Sequence, residues 1–105
     1  MIIYNTTFHI EKEAHIACVD YLKKEYIPQA VSSGFLLNPR LRRVLQNEEN
    51  EGESYAVQFH VKNVDTLNFW LKREGMALQQ TLVTRFGPKV AGFTTLLEEV
   101  SWEDE

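Results

Sequence analysis

One cysteine, three prolines, three histidines and five glycines are spread over 105 residues, and each scarcity narrows what the chain can be. Cys18 alone can form no intramolecular disulfide and no Cys pair of the kind that holds zinc, which fits a reducing compartment. No apolar run approaches the ~20 residues that a bilayer-crossing helix needs, and Met1 leads straight into a strand pattern without a basic segment or cleavage site. The expectation is a cytoplasmic protein. Positive charge is also short, since 11 Lys and Arg against 15 Asp and Glu leave a net charge of −4. With acid clustered at 47–53 and 103–105, the broad basic footprint that a nucleic-acid backbone requires is missing. What is present is ordinary for a folded chain, 44% hydrophobic and 25% charged. The length supports one core and hence one domain, 1–105, ending in an acidic tail at 101–105.

The clearest pattern runs from Tyr55 to Lys62. Strand side chains alternate between faces, so Tyr55, Val57, Phe59 and Val61 make an apolar face while Ala56, Gln58, His60 and Lys62 make a polar one. Met1 to Ile10 alternates in the same way and gives a first strand. From Glu11 the period changes to that of a helix, with Ala14, Cys18, Val19, Leu22 and Tyr26 on one stripe. Pro28 predicts a kink or restart at Ile27, and Gly34 suits a left-handed stop. Leu36 to Gln46 reads as an edge strand, tolerant of Pro39 and protected by arginines, with Leu37, Leu41 and Leu45 on one parity and Arg40, Arg42 and Val44 on the other. Asn47 to Glu53 reads as a solvated hairpin connection. Asn63 or Asp65 caps a second helix with the stripe Val64, Leu67, Trp70, Leu71, Leu78 and Leu82; Gly75 predicts a break into two segments, and Gly87-Pro88 ends it. A last strand runs from Val90 to about Trp102.

The order strand, helix, strand, strand, helix, strand is that of a ferredoxin-like α+β fold. Right-handed crossovers then give an antiparallel sheet in the order 4-1-3-2, with both helices on one face. The uncovered face carries Asn5, Thr7, Gln58 and His60, with Thr94 and Leu96 expected beside them. It needs a covering, and a homodimer made by packing two such faces into a barrel is the economical one.

Several stretches, Ile3-Tyr4-Asn5, Tyr26-Ile27-Pro28, Ser33-Gly34-Phe35, Tyr55 to Phe59, Arg85-Phe86-Gly87 and Phe93 to Glu98, together resemble a family of small uncharacterised bacterial proteins of the dimeric α+β barrel type. The resemblance covers most of the chain and implies a fold and a dimer rather than a reaction. The wider barrel class includes cofactor-free and haem-degrading monooxygenases that use an Asn on the first strand with a Trp and a His. Asn5 and Trp70 invite that comparison, although Trp70 lies on the apolar stripe and suits the core, and the second helix offers no His as an iron ligand.

Among residues with chemistry, His60 with Asn5 and Gln58 forms the one polar cluster able to accept and relay a proton. Antiparallel pairing sets His9 near Ser54 or Tyr55 and His60 near Tyr4 or Asn5, so the two histidines make no dyad. His15 suits packing; Glu11 and His15 lack the further ligands a metal site needs, so no metal and no cofactor is expected. Cys18 behaves as a small apolar residue. Arg40, Arg42 and Arg43 suit salt bridges to the acidic segments, or an anionic ligand at the sheet edge. The sequence thus leads to a homodimeric barrel that binds a small, partly apolar ligand at Asn5, Thr7, Gln58, His60 and Trp70, or serves as an interaction module. The alternative is a cofactor-independent monooxygenase-like enzyme with Asn5 and His60 as catalytic candidates.

Overall fold

The central strand has two neighbours, and their registers place every side chain. In the computed structural model, which describes residues 1–45 and 52–103, β1 (Ile2–Ile10) pairs with β3 (Glu53–Val61) and with β4 (Val90–Glu98), and β2 (Leu37–Val44) pairs with the far side of β3. All pairs are antiparallel and the order is β2-β3-β1-β4, the ferredoxin-like arrangement expected. Most of the acidic connection read at Asn47 to Glu53, and the last two residues of the tail, lie outside the described residues.

Ile2, Tyr4, Phe8 and Ile10 of β1 and Tyr55, Val57, Phe59 and Val61 of β3 face the helices and are buried. Tyr4 stacks on Phe59 and meets the edge of Trp70, with ring centroids 6.3 and 6.1 Å apart, and Phe8 meets Tyr26 edge-on at 5.7 Å. The apolar face predicted for β3 is therefore the core face.

Both helical runs contain a feature the sequence reading did not anticipate. The first consists of α1 (His15–Tyr21), a π-turn at Leu22–Tyr26 and α2 (Ile27–Val31); the second of α3 (Val64–Trp70), a π-turn at Leu71–Gly75 and α4 (Met76–Phe86). In each turn an N–H reaches back five residues, from Ile27 to the Leu22 carbonyl and from Met76 to the Leu71 carbonyl. The cause is visible in the spacing. Ala14, Cys18, Leu22, Tyr26 and Ala30 are all buried, a strict interval of four that drifts about 40° per step around a helix of about 3.6 residues per turn. A π-turn fits one extra residue into the helix and returns the stripe to the sheet. The restart expected at Ile27 and the two segments expected around Gly75 are present as α2 and α4, but each is joined to the segment before it by a π-turn in a continuous run rather than across a break. The two turns have nearly the same sequence, Tyr21-Leu-Lys-Lys-Glu25 and Trp70-Leu-Lys-Arg-Glu74, each following a strand that ends Phe-His-Ile or Phe-His-Val. The two halves of the fold repeat each other.

Caps and ends follow the chemistry. The Asn63 side chain accepts from the Thr66 N–H at 2.8 Å, as a helix cap should. Gly34 has φ 87° and closes the first run. β4 ends at Glu98 rather than near Trp102 because Glu98 is opposite Ile2, where β1 begins and partners run out. In β2 a bulge lies between Leu37, opposite His60, and Arg40, opposite Gln58. Three steps on β2 match two on β3, so Leu37 shares a face with Arg40 and Arg42 instead of with Leu41.

Gly75 has an ordinary helical φ of −64°. An alanine Cβ there would lie 2.8 Å from Cε3 of the Trp70 ring and 2.9 Å from Cδ2 of Leu71, and Trp70 is only 1% exposed. Helix propensity alone would make Gly75→Ala stabilising by about 1 kcal/mol. Overpacking dominates, and chemical denaturation is expected to show a net loss of about 1–3 kcal/mol.

Candidate functional site

A polar interruption in the apolar face of β1 marks the first candidate. Thr6 sits between Tyr4 and Phe8 where continuity would put Val or Ile, and it is buried. Its neighbour across the sheet is Thr94 of β4, with the two hydroxyl oxygens 3.5 Å apart. Above them Gln79 of α4 donates to the Tyr4 hydroxyl at 3.4 Å. Burial pushes the Tyr4 phenol above its ordinary value, while hydrogen bonds from Thr6, Gln79 and Thr94 pull the other way. Thr6, Gln79 and Thr94 edge a pocket of about 240 Å³ between the sheet and α4, otherwise lined by Phe8, Tyr26, Leu82, Val83, Val90 and the Gly92-Phe93 stretch of β4. No charged side chain among the described residues lines it. Chemically it suits a neutral, largely apolar molecule held by a few hydroxyl and amide contacts. It carries no His, Cys or Met, and Tyr26, its one side chain of a haem-ligand type, is spent edge-on against Phe8, so these residues do not fit a haem.

The sequence reading missed this pocket, because Thr94 was expected on the uncovered face with Leu96. The register sets Thr95 opposite Asn5 and Thr94 opposite Thr6, which reverses that expectation. β4 alternates Phe93, Thr95, Leu97 against Thr94, Leu96, Glu98, so either parity has a threonine next to a leucine and pairing decides. The lone threonine on the core face of β1 was the available signal.

The uncovered face carries most of the residues singled out from the sequence. Asn5 lies opposite Gln58, Thr7 opposite Ala56, and His60 opposite Ile3. Asn5 donates from Nδ2 to the Thr7 hydroxyl at 3.2 Å, and its Oδ1 is buried without a partner among the described residues. Gln58 accepts through Oε1 from Arg42 at 2.6 Å, and His60 Nδ1 is 3.4 Å from Asn38 Nδ2. His9 meets Ser54 at 3.1 Å, at the other end of the strand from His60. Trp70 is on the opposite side of the sheet, buried against Tyr4. Four of the five candidate ligand residues therefore share a surface and the fifth does not. His15 stacks on Tyr55 and bonds its hydroxyl at 2.7 Å. Among the described residues no three His, Cys, Asp or Glu side chains gather as a metal site would require.

The model of a protein family described as a domain of unknown function, DUF4286, matches residues 1–100. The chain belongs to that family. No curated protein matches it. Solved structures share the DUF4286 chain's fold at low identity. A candidate antibiotic biosynthesis monooxygenase from Deinococcus radiodurans is 15% identical with a TM-score of 0.67, over 100% of this chain and 98% of that one. MhuD, a variant of which was solved with two manganese protoporphyrin IX molecules per active site, is 18% identical with a TM-score of 0.68 over 100% of both chains. A dimeric ferredoxin-like protein from an uncultured marine organism is 13% identical with a TM-score of 0.67, over 95% of this chain and 96% of that one. At such identities the likeness is one of fold. No helix among the described residues is long and apolar enough to cross a membrane.

Cys18 of the DUF4286 chain is fully buried on the α1 stripe, and burial pushes its thiol up to about 11. A raised thiol pKa means the neutral form prevails well above neutrality, so little thiolate is available. Ellman's reagent at about pH 8, where an unperturbed thiol reacts readily, is expected to leave the folded protein unlabelled and to label one thiol per chain once denaturant is added.

Proposed function

We propose that this protein is a homodimeric α+β barrel that binds a small, neutral, partly apolar ligand between its sheet and α4. The observation that carries the reading is the pocket itself, where the Thr6 and Thr94 hydroxyls and the Gln79 amide break an otherwise apolar wall containing Phe8, Tyr26 and Leu82. Polar groups facing an apolar cavity fix the orientation of a ligand whose body is held by burial. At about 240 Å³ the pocket lies below the ~300–1,000 Å³ of drug-sized sites, which favours one or two rings. Dimerisation is supported by the uncovered face, where Phe93 is 64% exposed and Leu97 43%, and by the fold shared with a protein described as dimeric. The fully buried free thiol is consistent with the cytoplasm.

Two measurements test the two halves. Titration with 1-naphthol, followed by its fluorescence, is expected to saturate at one site per chain. Gln79→Leu and Thr94→Val should each weaken binding roughly fivefold, the worth of about 1 kcal/mol for a hydrogen bond; an unchanged affinity in both variants would count against this pocket. Sedimentation equilibrium is expected to give a dimer that Leu97→Lys converts to monomer, and a wild-type monomer at micromolar concentration would end the barrel reading.

A second reading, a cofactor-independent monooxygenase-like enzyme working through Asn5, Gln58 and His60, has one observation in its favour. The buried Asn5 Oδ1, beside Gln58, has no partner among the described residues, and an unpaired buried acceptor is costly enough to need a reason. Oxygen uptake with a naphthoquinol substrate, lost in Asn5→Ala and His60→Ala while the sedimentation behaviour is unchanged, would establish it. Equal uptake in the variants and the wild type would remove it.

A further inference from the structure

The β2 bulge gathers residues that a regular strand would have kept apart. Asn38 adopts a left-handed φ of 54° ahead of Pro39, a conformation that few residues other than glycine take and that asparagine tolerates best. Bulges of this kind re-aim side chains. Here the result is a depression of about 270 Å³ on the uncovered face, lined by Ile3, Asn38, Arg40, Arg42, Gln58 and His60.

Its hydrogen-bonding inventory is one-sided. The Gln58 carbonyl oxygen is taken by Arg42, which leaves the Gln58 amide as a donor. Asn38 Nδ2, which can only donate, lies 3.4 Å from His60 Nδ1, a contact that the ring satisfies as the tautomer with its proton on Nε2, a second donor. Arg40 uses one N–H on the Pro39 carbonyl, and the rest of both guanidinium groups is donor only. Of the lining side chains, only Asn38 keeps an acceptor atom with no partner among the described residues. Among the described residues no acid lines the depression and neither Arg40 nor Arg42 forms an ion pair, whereas Arg43 on the other parity pairs with Glu53 at 3.9 Å. The apolar side chains Phe93 and Leu97 lie on the β4 half of the same face, separated from this cluster by β1.

We propose that this bulge-framed depression is a binding site for a small oxyanion, a carboxylate or phosphate group held by the Arg40 and Arg42 guanidinium groups with the Gln58 amide and the His60 Nε2 proton. Two guanidinium groups on one face of a strand match the paired oxygens of such a group better than two ammonium groups would. The site is distinct from the neutral pocket beside α4, on the other side of the sheet, and stands whether or not that pocket binds 1-naphthol.

The test follows the Arg40 and Arg42 Nε–Hε signals and the His60 ring signals by NMR. The full chain is titrated with inorganic phosphate and separately with succinate, at ionic strength held constant with sodium chloride. Saturable shifts confined to these residues are expected with at least one probe, and whichever probe saturates identifies the group preferred. Arg42→Gln should weaken binding about tenfold, in line with a charge-assisted hydrogen bond, and Arg42→Lys several-fold because charge remains and the fork is lost. Arg43→Gln, on the other parity of β2 and away from the depression, should leave the affinity unchanged. All these positions are at the surface or at the edge of the sheet, and circular dichroism checks that each variant is folded. A response that rises linearly with both probes, or an affinity that Arg42→Gln leaves untouched, would overturn the proposal.

Discussion

Everything about this molecule depends on the hydrogen-bond register between β1 and β3, which sets Asn5 against Gln58 and Tyr4 against Phe59. Because side chains alternate along a strand, one register sorts two strands at once, and a slip by one residue would exchange the faces. In the observed pairing Ile2, Tyr4, Phe8 and Ile10 join Tyr55, Val57, Phe59 and Val61 under the helices. Asn5, Thr7, Gln58 and His60 are left outside. The sheet is thus a partition between two chemistries, a neutral pocket on one side and a donor-rich surface on the other.

The helices keep their side of the partition by departing from ideal geometry. An interval of four, repeated from Ala14 to Ala30, holds Tyr26 against Phe8 only because the π-turn absorbs the accumulated rotation. Its counterpart in the second run follows Trp70 and leaves Gly75 beneath the indole. Tyr21 and Trp70, at matching places in the two halves, both bury a polar atom without a hydrogen-bond partner among the described residues. The same aromatic-then-π-turn device has been used twice, and packing of the rings offsets the unpaired polar groups in each.

Much of the fold was legible in the sequence because it is written in periods. Alternation in β1 and β3 identified the strands and the core face, the proline and arginines of β2 placed it at an edge, and the element order limited the topology. The failures fall where period is ambiguous. β4 has threonines of both parities, so its orientation depends on cross-strand pairing with β1. Pro28 and Gly75 read as breaks because local propensity was weighed without the spacing of the buried positions, an interval of four from Ala14 to Ala30 and a five-residue step from Trp70 to Gly75, that a π-turn accommodates. At the candidate sites, the polar cluster on the uncovered face was foreseeable from Gln58 and His60. The pocket beside α4 was not, since Thr6, Gln79 and Thr94 come together only through tertiary packing, and Trp70 lies in the core that its apolar stripe suited, not with the sheet-face residues it was grouped with as a ligand contact.

The single extra residue in β2 has a consequence for how such a chain can vary. Strand parity counts residues, so the bulge at Asn38-Pro39 acts as a phase shift: before it the odd position Leu37 points outward, and after it the even positions Arg40 and Arg42 do. Losing or gaining one residue there would swap an apolar side chain for a polar one at the mouth of the sheet, with every other residue unchanged. Related chains could therefore differ in the chemistry of this rim through length alone, and a comparison that aligned them by residue type would record a gap in a loop where the molecule has changed what it shows to its surroundings.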